Sequence, residues 1–432
     1  MRLTQSWSRA RSLIRRGAAA YANTLRTATP NARRYLLTVA LQSAGMGILG
    51  VVFAIYVKSA GFSVAVVGDV EGALALAAGA VCIVVPPLVA VVGYRALFIA
   101  AALAYGIARI GQIAGVGPAG IVALGLVYGL GDGIMRPVGV AFLAENGPSH
   151  DRTFLFTIDF ALRIAANVVG AVIGGLLPTA LALGMSDVAA LRWTIALGGV
   201  VFISSAIPAF GMRDTRPATT GRPWSTYWRT VSGFRSWDRL LRLSVPEALI
   251  SFGAGLVMPF VPLFLKSHLG ASVAQIGFIA SFSAVVMAAA VLMTPLLARR
   301  FGLVGTIVLT ELASLPFLVA IPLAPGLALV AVFMWARSAL MNMSQPVYNQ
   351  VAVEGIPSRD KPLVVGWMTV AWSVAWFAGS VIGGRLNEAS YTAPYFATAI
   401  LYALGALASW VLLRKIDVER AEARVTAAEV RA

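Results

Sequence analysis

The sequence predicts an all-α membrane protein in which twelve transmembrane helices form two parallel six-helix repeats. Three observations predict this fold. The chain of 432 residues is 59% hydrophobic and only 12% charged, apolar runs of membrane-spanning length recur along most of it, and its two halves match each other at a nearly constant offset. Soluble proteins carry about a quarter charged residues, so a soluble fold is excluded.

Apolar runs of about twenty residues, enough to cross a bilayer as a helix, predict twelve spans. The first six are predicted at 35–58, 64–88, 94–114, 118–143, 153–178 and 188–211. The second six are predicted at 244–267, 272–296, 303–323, 325–351, 363–387 and 393–413. The predicted organisation is a basic N-terminal segment (1–34), an N-terminal bundle (35–212), a basic linker (213–243), a C-terminal bundle (244–414) and a tail (415–432).

Basic residues are distributed unevenly between the two sets of loops. An even number of spans puts both termini on one side, and the loops of that side carry thirteen basic residues, seven of them in the linker, against four in the opposite loops. Basic loops stay in the cytosol, which predicts cytosolic termini in a cell (inner) membrane. The net charge of +16 then indicates contact with anionic lipid headgroups and not with nucleic acid.

The N-terminal segment 1–34 contains eight arginines and no acid, and its apolar residues recur at roughly helical spacing. This composition predicts an amphipathic helix at the membrane interface. A mitochondrial transit peptide and a disordered basic tail have similar compositions and remain alternatives.

The two halves match at an offset of 208 residues, which becomes 209 after one inserted residue. The matched positions include glycines, prolines and acids: Gly61 with Gly270, Gly68 with Gly277, Pro137 with Pro346, Glu145 with Glu354, Gly174 with Gly383, and Gly175 with Gly384. Because each repeat holds six helices, both enter the membrane in the same direction, an arrangement found in transporters with parallel repeats.

Two local patterns accompany this repeat. The fourth span carries a glycine, proline and acid pattern that comprises Gly129, Gly131, Gly133, Pro137 and Glu145. It resembles the proton-antiporter motif of the major facilitator superfamily, except that Gly125 stands where the motif opens with arginine. The loop from Pro86 to Gly93 resembles that family's loop after the second helix, with Ala90 in place of its aspartate.

On these residues, the chain resembles the major facilitator superfamily over positions 35–413. The resemblance implies a secondary transporter that works by alternating access, and it is strongest toward proton-linked drug and metabolite antiporters. The family's loop aspartate contributes to a latch at the cytosolic ends of the helices. Its replacement implies a different latch, for which Glu145 with Arg95 or Arg152 is a candidate.

Charged residues inside the predicted spans are candidate functional positions, because a charge at membrane depth needs a partner or a watery cavity. In the fourth span, Tyr128, Asp132 and Arg136 repeat every four residues and therefore share one helix face. The resemblance implies that this face lines the substrate cavity.

The fifth span carries a similar stripe of Asp159, Arg163 and Asn167, which continues into Gly170 and Gly174. We expect the polar part to line the cavity. The glycine part is expected to close against the other half, as are Gly379 and Gly383 in the eleventh span. Two ion pairs are possible along these stripes, Asp132 with Arg136 and Asp159 with Arg163. They are either permanent and structural, or part of a rearranging network that gates access or binds substrate.

Four charged residues join Glu145 and Asp159 as gating or coupling candidates, namely Asp69, Glu71, Arg109 and Glu311, and Arg337 is a further candidate for the substrate cavity. Asp69 and Glu71 begin the second span, and we expect one of them to pair with Arg109 near the outer surface. Glu311 and Arg337 either neutralise each other or leave Arg337 to meet an anionic substrate.

The repeat also exposes an asymmetry between the two halves. The acid, arginine and asparagine of the fifth span correspond to Met368, Trp372 and Trp376, and the charged pair of the fourth span corresponds to Met341 and Gln345. One predicted cavity wall is charged, and the other consists mainly of aromatic and methionine side chains. If Trp372 and Trp376 face the cavity and not lipid, the substrate is expected to be amphipathic.

The leading prediction is proton-linked efflux of an amphipathic small molecule by alternating access, with helices of both halves forming the cavity. One alternative is uptake or facilitated diffusion of an organic anion held by Arg136, Arg163 or Arg337. A different class is a non-transporting membrane scaffold or receptor. The expected partners are a small-molecule substrate, protons and lipids, and we expect a monomer without a cofactor.

An enzyme is not expected. The only cysteine, Cys82, allows no disulfide or thiolate metal site, and the two histidines, His150 and His268, lie in loops on opposite sides.

Overall fold

A computed structural model describes residues 28–146, 152–214, 223–354, 356–357 and 360–429. Within these ranges, twelve helices are long and apolar enough to cross a membrane. The predicted fold of twelve transmembrane helices in two six-helix repeats is thus confirmed. Most of the N-terminal segment, part of the linker and Arg359 lie outside the described residues.

The six helices of the N-terminal half follow the predicted spans closely. They are α1 (Pro30–Ser59), α2 (Val64–Val92), α3 (Tyr94–Gln112), α4 (Pro118–Asn146), α5 (Arg152–Leu181) and α6 (Asp187–Ser204), the last followed by a short helix, Ala206–Phe210. The start of α1 is set by local chemistry: Pro30 occupies the first turn, and the Thr29 hydroxyl accepts a hydrogen bond from the Ala32 amide, as is common at helix N-termini.

The C-terminal half begins with a helix that is longer than predicted. Its helices are α7 (Trp237–Val257), α8 (Val273–Phe301), α9 (Leu303–Ala320), α10 (Leu327–Val353), α11 (Lys361–Ala389) and α12 (Ala393–Glu429). Three short helical segments extend α7 to His268. Pro259 and Pro262 lie in this extension, and since proline has no amide hydrogen to donate, the regular α-helix breaks there.

Part of the predicted linker is helical. The segment Pro223–Ser232, here called the linker helix, packs on α2, where the Tyr227 hydroxyl donates a hydrogen bond to the Ile83 carbonyl at 2.5 Å. We call the end of the bundle that carries this helix the linker face. The other end, with the loops at 60–63 and 390–392, is the opposite face.

The two halves join through two pairs of helices, α2 with α11 and α5 with α8. The contacts are close because glycines lie at them: a Cβ on Gly277 would approach within 2.7 Å of the Gly175 Cα. A Cβ on Gly68 would overlap the Ser380 carbonyl. These contacts lie toward the opposite face and the middle of the bundle.

The glycine stripes were predicted to pack against the other half, and this prediction is wrong. Gly170 and Gly174 pack against the α1 backbone, and Gly379 and Gly383 pack against the α7 backbone, all within their own half. The neighbouring glycines, Gly175 and Gly384, make the contacts across the halves. Adjacent residues on a helix point about 100° apart, so each glycine pair offers two flat surfaces to two different neighbours.

Candidate functional site

A cavity of about 520 Å³ lies between the two halves. The N-terminal half contributes α1 to α4 to its wall, and the C-terminal half contributes α7 and α11. The volume is in the range of small-molecule sites, roughly 300–1,000 Å³. The glycine contacts described above hold the two halves together toward the opposite face.

The charged stripe of α4 forms one wall of this cavity. Tyr128, Asp132 and Arg136 all line it. The Asp132 carboxylate accepts hydrogen bonds from the Arg136 Nε at 2.9 Å and from the Tyr105 hydroxyl at 3.0 Å. Asp132 is 10% exposed at its side chain and Arg136 is 70% exposed, so the acid is buried while the arginine side chain is open to the cavity. Gly125, by contrast, packs on the α2 backbone at Val70 and does not line the cavity.

A second cation, Arg109, reaches the cavity from α3. It is 4% exposed, and its guanidinium lies 4.0 Å from the Phe53 ring centre and 4.2 Å from the Tyr128 ring centre. Its Nη1 donates to the Gln112 side chain at 2.9 Å. Glu71 lines the same cavity within electrostatic range of Arg109. The two cation–π contacts and the nearby acid hold this buried charge.

Two stacked tryptophans form the facing wall. Trp372 and Trp376 line the cavity from α11, with ring centres 6.2 Å apart and an interplanar angle of 26°. The Ser251 hydroxyl on α7 donates to the Trp372 carbonyl at 2.7 Å and so fixes α11 at this level. The cavity therefore has a charged wall in the N-terminal half and an aromatic wall in the C-terminal half.

Charged residues link the two halves at the opposite face, and we call this group the latch. Arg385 pairs with Asp69 at 2.6 Å, and Lys58 pairs with Glu388 at 3.7 Å. Glu388 also accepts a hydrogen bond from the Ala65 amide at 3.2 Å. Asp69 thus pairs with α11, and the acid that lies near Arg109 is Glu71.

The latch was missed by sequence reasoning, although the repeat contains a signal for it. Arg385 corresponds to Leu176, and Asp69 corresponds to Phe278. Residues that are charged in one repeat and apolar in the other have no role in the shared fold. They are therefore candidates for contacts between the halves.

Three predicted cavity residues lie outside the walls of the two cavities described here: Arg163, Asn167 and Gln345. The Arg163 guanidinium instead pairs with Asp159 at 2.9 Å and donates to the Tyr35 hydroxyl on α1 at 2.9 Å. Asn167 faces α1 as well, with its amide 3.5 Å from the Ser43 carbonyl. The stripe on α5 turns toward α1 because the glycines that continue it pack on that helix.

A second cavity of about 340 Å³ adjoins the first inside the C-terminal half, and Arg337 lines it. Its Nη2 donates to the Tyr402 hydroxyl at 2.9 Å. No ion pair joins it to Glu311 among the described residues, so of the two alternatives the structure does not support mutual neutralisation.

Glu311 is buried next to another acid. It is 2% exposed, and Glu247 on α7, which is 9% exposed, lies within electrostatic range of it. One carboxylate oxygen of Glu311 has no hydrogen-bond partner. Glu145, another predicted gating residue, lies near the linker face and accepts a hydrogen bond from the Tyr94 hydroxyl at 2.8 Å.

Comparisons with known proteins agree with this architecture. The family model described as Major Facilitator Superfamily matches residues 247–430. Among solved structures, the chain is similar to a bacterial homolog of the human lysosomal transporter Spinster in an inward-facing and unoccupied conformation, with a TM-score of 0.70 and 15% identity over 89% of this chain and 96% of that chain. A search of curated proteins gives no match.

Two other solved structures have the same fold. The nucleoside transporter NupG gives a TM-score of 0.73 and 12% identity, covering 89% of this chain and 99% of that chain. A D-xylose-proton symporter gives a TM-score of 0.66 and 16% identity, covering 88% of this chain and 96% of that chain.

The fold is that of a multi-pass membrane protein built from two six-helix bundles with a cavity between them. The C-terminal half matches the model of the major facilitator superfamily over residues 247–430, and the whole chain has the fold of the solved transporters named above.

Proposed function

We propose that this protein exports an amphipathic small molecule by proton-linked alternating access across the cell (inner) membrane, as a monomer with both termini in the cytosol. The observation that carries the proposal is the cavity between the halves. It has Asp132, Arg136 and the Arg109–Glu71 group on one wall and two stacked tryptophans on the other. A molecule with one polar end and an aromatic or apolar body fits both walls.

The two halves, 35–212 and 244–414, would be the moving bodies, joined by the linker 213–243. In this structure, glycine contacts and the latch hold them together at the opposite face. The basic linker side is proposed to face the cytosol, and on this proposal the cavity would be accessible from the cytosol in the conformation described. Export would require the halves to part at the opposite face and to meet at the linker face.

Proton linkage is supported by Glu247 and Glu311. At the equivalent positions, the N-terminal repeat places Val39 and Ala102, and both are fully buried. The fold therefore packs well without acids there. Buried carboxylates that lack a cation are costly, and in membrane transporters they commonly carry protons.

Purified protein tests the proposal in two steps. A thermal-shift screen against a metabolite and drug library at two pH values identifies ligands, and proteoliposomes with an imposed pH gradient then measure their flux. We expect Trp372→Ala to weaken binding of an amphipathic ligand by about tenfold, since aromatic contacts contribute roughly 0.5–1.5 kcal/mol beyond their buried area. Trp193→Ala, which removes an exposed tryptophan of α6, is the matched control and should bind normally.

Each result discriminates among the functions considered. Flux that ignores the pH gradient would contradict proton linkage and favour facilitated diffusion. Ligand binding without flux of any ligand would favour a receptor or scaffold. Equal binding by both tryptophan variants would contradict the assignment of the aromatic wall.

A second candidate function is transport of an organic anion. Arg337 favours it, because this buried cation lines a cavity and has no carboxylate partner among the described residues. Counterflow in proteoliposomes that depends on the anionic form of the ligand would support it.

A further inference from the structure

The second cavity is lined mainly by the C-terminal half and adjoins the first. Both cavities include Gly50, Met258 and Pro262 in their walls. Apart from Arg337 and two serines, the side chains that line the second cavity are apolar or aromatic, and Met258, Met287 and Met334 are among them. Methionine side chains adapt to varied apolar shapes, so these walls suit a flexible or variable apolar body.

Two polar groups in this wall are buried and incompletely bonded. Arg337 is 9% exposed, and its guanidinium contacts only neutral acceptors, the Tyr402 hydroxyl at 2.9 Å and the Met258 sulfur at 3.4 Å. Its Nε has no hydrogen-bond partner, and neither has the hydroxyl of Tyr395, which is 2% exposed. Tyr395 also lies within electrostatic range of Arg337, and both residues line this cavity.

Comparison of the two repeats shows that an acid is missing from this region. In the N-terminal half, the buried cation Arg109 has the acid Glu71 nearby on α2. The position equivalent to Glu71 in the C-terminal half is Ala280 on α8, and Ala280 lines the second cavity with Arg337. The carboxylate of Glu71 thus lies near Arg109, whereas the cavity that Arg337 lines has only the methyl group of Ala280 at the equivalent position.

We propose that the second cavity binds the anionic head of an amphipathic organic anion, with Arg337 and Tyr395 as its ligands and the methionine-rich wall around its apolar body. A buried cation without a counter-ion is unfavourable, and hydrogen bonds between a guanidinium and a carboxylate are among the strong ones. The inference deepens the proposed transport function, because it names the substrate class, but binding to this cavity is measurable without transport.

The test uses three probes that share one apolar body: phenylbutyrate, phenylbutanol and phenylbutylammonium. Their binding to the purified full-length protein is measured by isothermal titration calorimetry. We expect wild type to bind the carboxylate at least about tenfold more tightly than the alcohol, since hydrogen bonds to charged groups are stronger than neutral ones. The ammonium compound should bind most weakly.

The decisive variant is Ala280→Glu, which restores to α8 the acid that α2 carries. It should abolish the preference for the carboxylate and keep binding of the alcohol, because the new carboxylate occupies Arg337. Ala280→Gln has nearly the same size without the charge and should keep most of the preference. Tyr395→Phe, which removes only the hydroxyl, should reduce the preference severalfold.

Two results would overturn the inference: equal binding of carboxylate and alcohol by wild type, or an undiminished preference in Ala280→Glu. Neither result touches the proposed transport function, which fails only if no ligand from the wider screen moves across proteoliposomes. Conversely, charge-selective binding that Ala280→Glu removes would support this site even if flux were absent.

Discussion

Single residues in this protein show how far a helical pattern alone determines a site. The four-residue spacing of Tyr128, Asp132 and Arg136 predicts one shared face, and the structure places all three on the cavity wall. The same spacing on α5 predicts a shared face for Asp159 and Arg163, but that face meets α1. Periodicity fixes which residues lie together on a helix, whereas the neighbour that they meet depends on packing against other helices.

Such a pattern cannot predict contacts between residues that are distant in sequence. Asp69 and Arg385 are 316 residues apart and lie in different halves. Each is recognisable as a charge near the end of its span. Their pairing follows only from the approach of α2 to α11, which depends on glycines in both helices.

At the residue scale, we predict that Glu311→Gln uncouples transport from the proton gradient. The amide has the size of the carboxyl group and does not ionise, so substrate accumulation driven by a pH gradient should fall to the level without a gradient. Exchange of labelled for unlabelled substrate should continue, because the cavity between the halves is unchanged. Both fluxes are measured in proteoliposomes.

Glu145→Gln is the matched control for that prediction. This acid lies near the linker face, where it accepts a hydrogen bond from Tyr94, and its substitution should leave gradient-driven accumulation largely intact. Full accumulation by Glu311→Gln would exclude Glu311 from coupling.

At the scale of helices, the contact between α1 and α5 determines how the second buried ion pair is interpreted. The pair Asp159–Arg163 lies outside both cavities described here, and Arg163 is tied to α1 through Tyr35. This geometry favours a structural brace within the N-terminal half. A rearranging gate would instead need contacts to the other half.

We therefore predict that the double variant Asp159→Leu/Arg163→Leu keeps substrate flux. Its melting temperature should fall by a few degrees, and the single variant Asp159→Leu should fall further, because it leaves a partly buried guanidinium without its acid. Thermal unfolding and proteoliposome flux of the three proteins measure this. Loss of flux in a double variant that remains folded would show that the pair has a functional role.

The sequence predicted the helices better than their ends and neighbours. The twelve spans follow from apolar run lengths, and the repeat identifies two halves. The early start of α7 at Trp237 was not predicted, since its first turns carry Asp238, Arg239 and Arg242, which resemble the polar linker before them. The two glycine pairs were found, but a pattern of small residues does not say which of two adjacent glycines meets which helix.

At the scale of the whole molecule, the latch should influence which face is open. Its two ion pairs are well exposed, with side-chain exposures of 55% and 30% for Arg385 and Asp69 and 44% and 41% for Lys58 and Glu388. Exposed pairs contribute about 0–1 kcal/mol each. Breaking both should shift the balance between the two conformations by only a few-fold, toward the one that is open at the opposite face.

The single native cysteine offers a direct readout of that shift. Cys82 lines the cavity on α2, so a maleimide reagent should reach it only while the cavity is open. We predict that Arg385→Ala/Glu388→Ala is labelled a few-fold more slowly than wild type by an impermeant maleimide added from the linker face.

Arg192→Ala is the control for that experiment. Arg192 is an exposed cation near the opposite face, so its removal changes the charge there without touching the latch, and labelling should match wild type. Unchanged labelling of the latch variant would mean that these ion pairs do not influence the conformational balance.

The paired glycines have a further consequence for the speed of the transport cycle. At Gly175 and Gly277, the two halves meet backbone to backbone, so no side chain has to be ordered when they come together. Ordering a long side chain costs up to about 2 kcal/mol of conformational entropy, whereas glycine has no such cost. In the proposed transport cycle, each return to the closed opposite face would therefore cost little side-chain entropy at this contact.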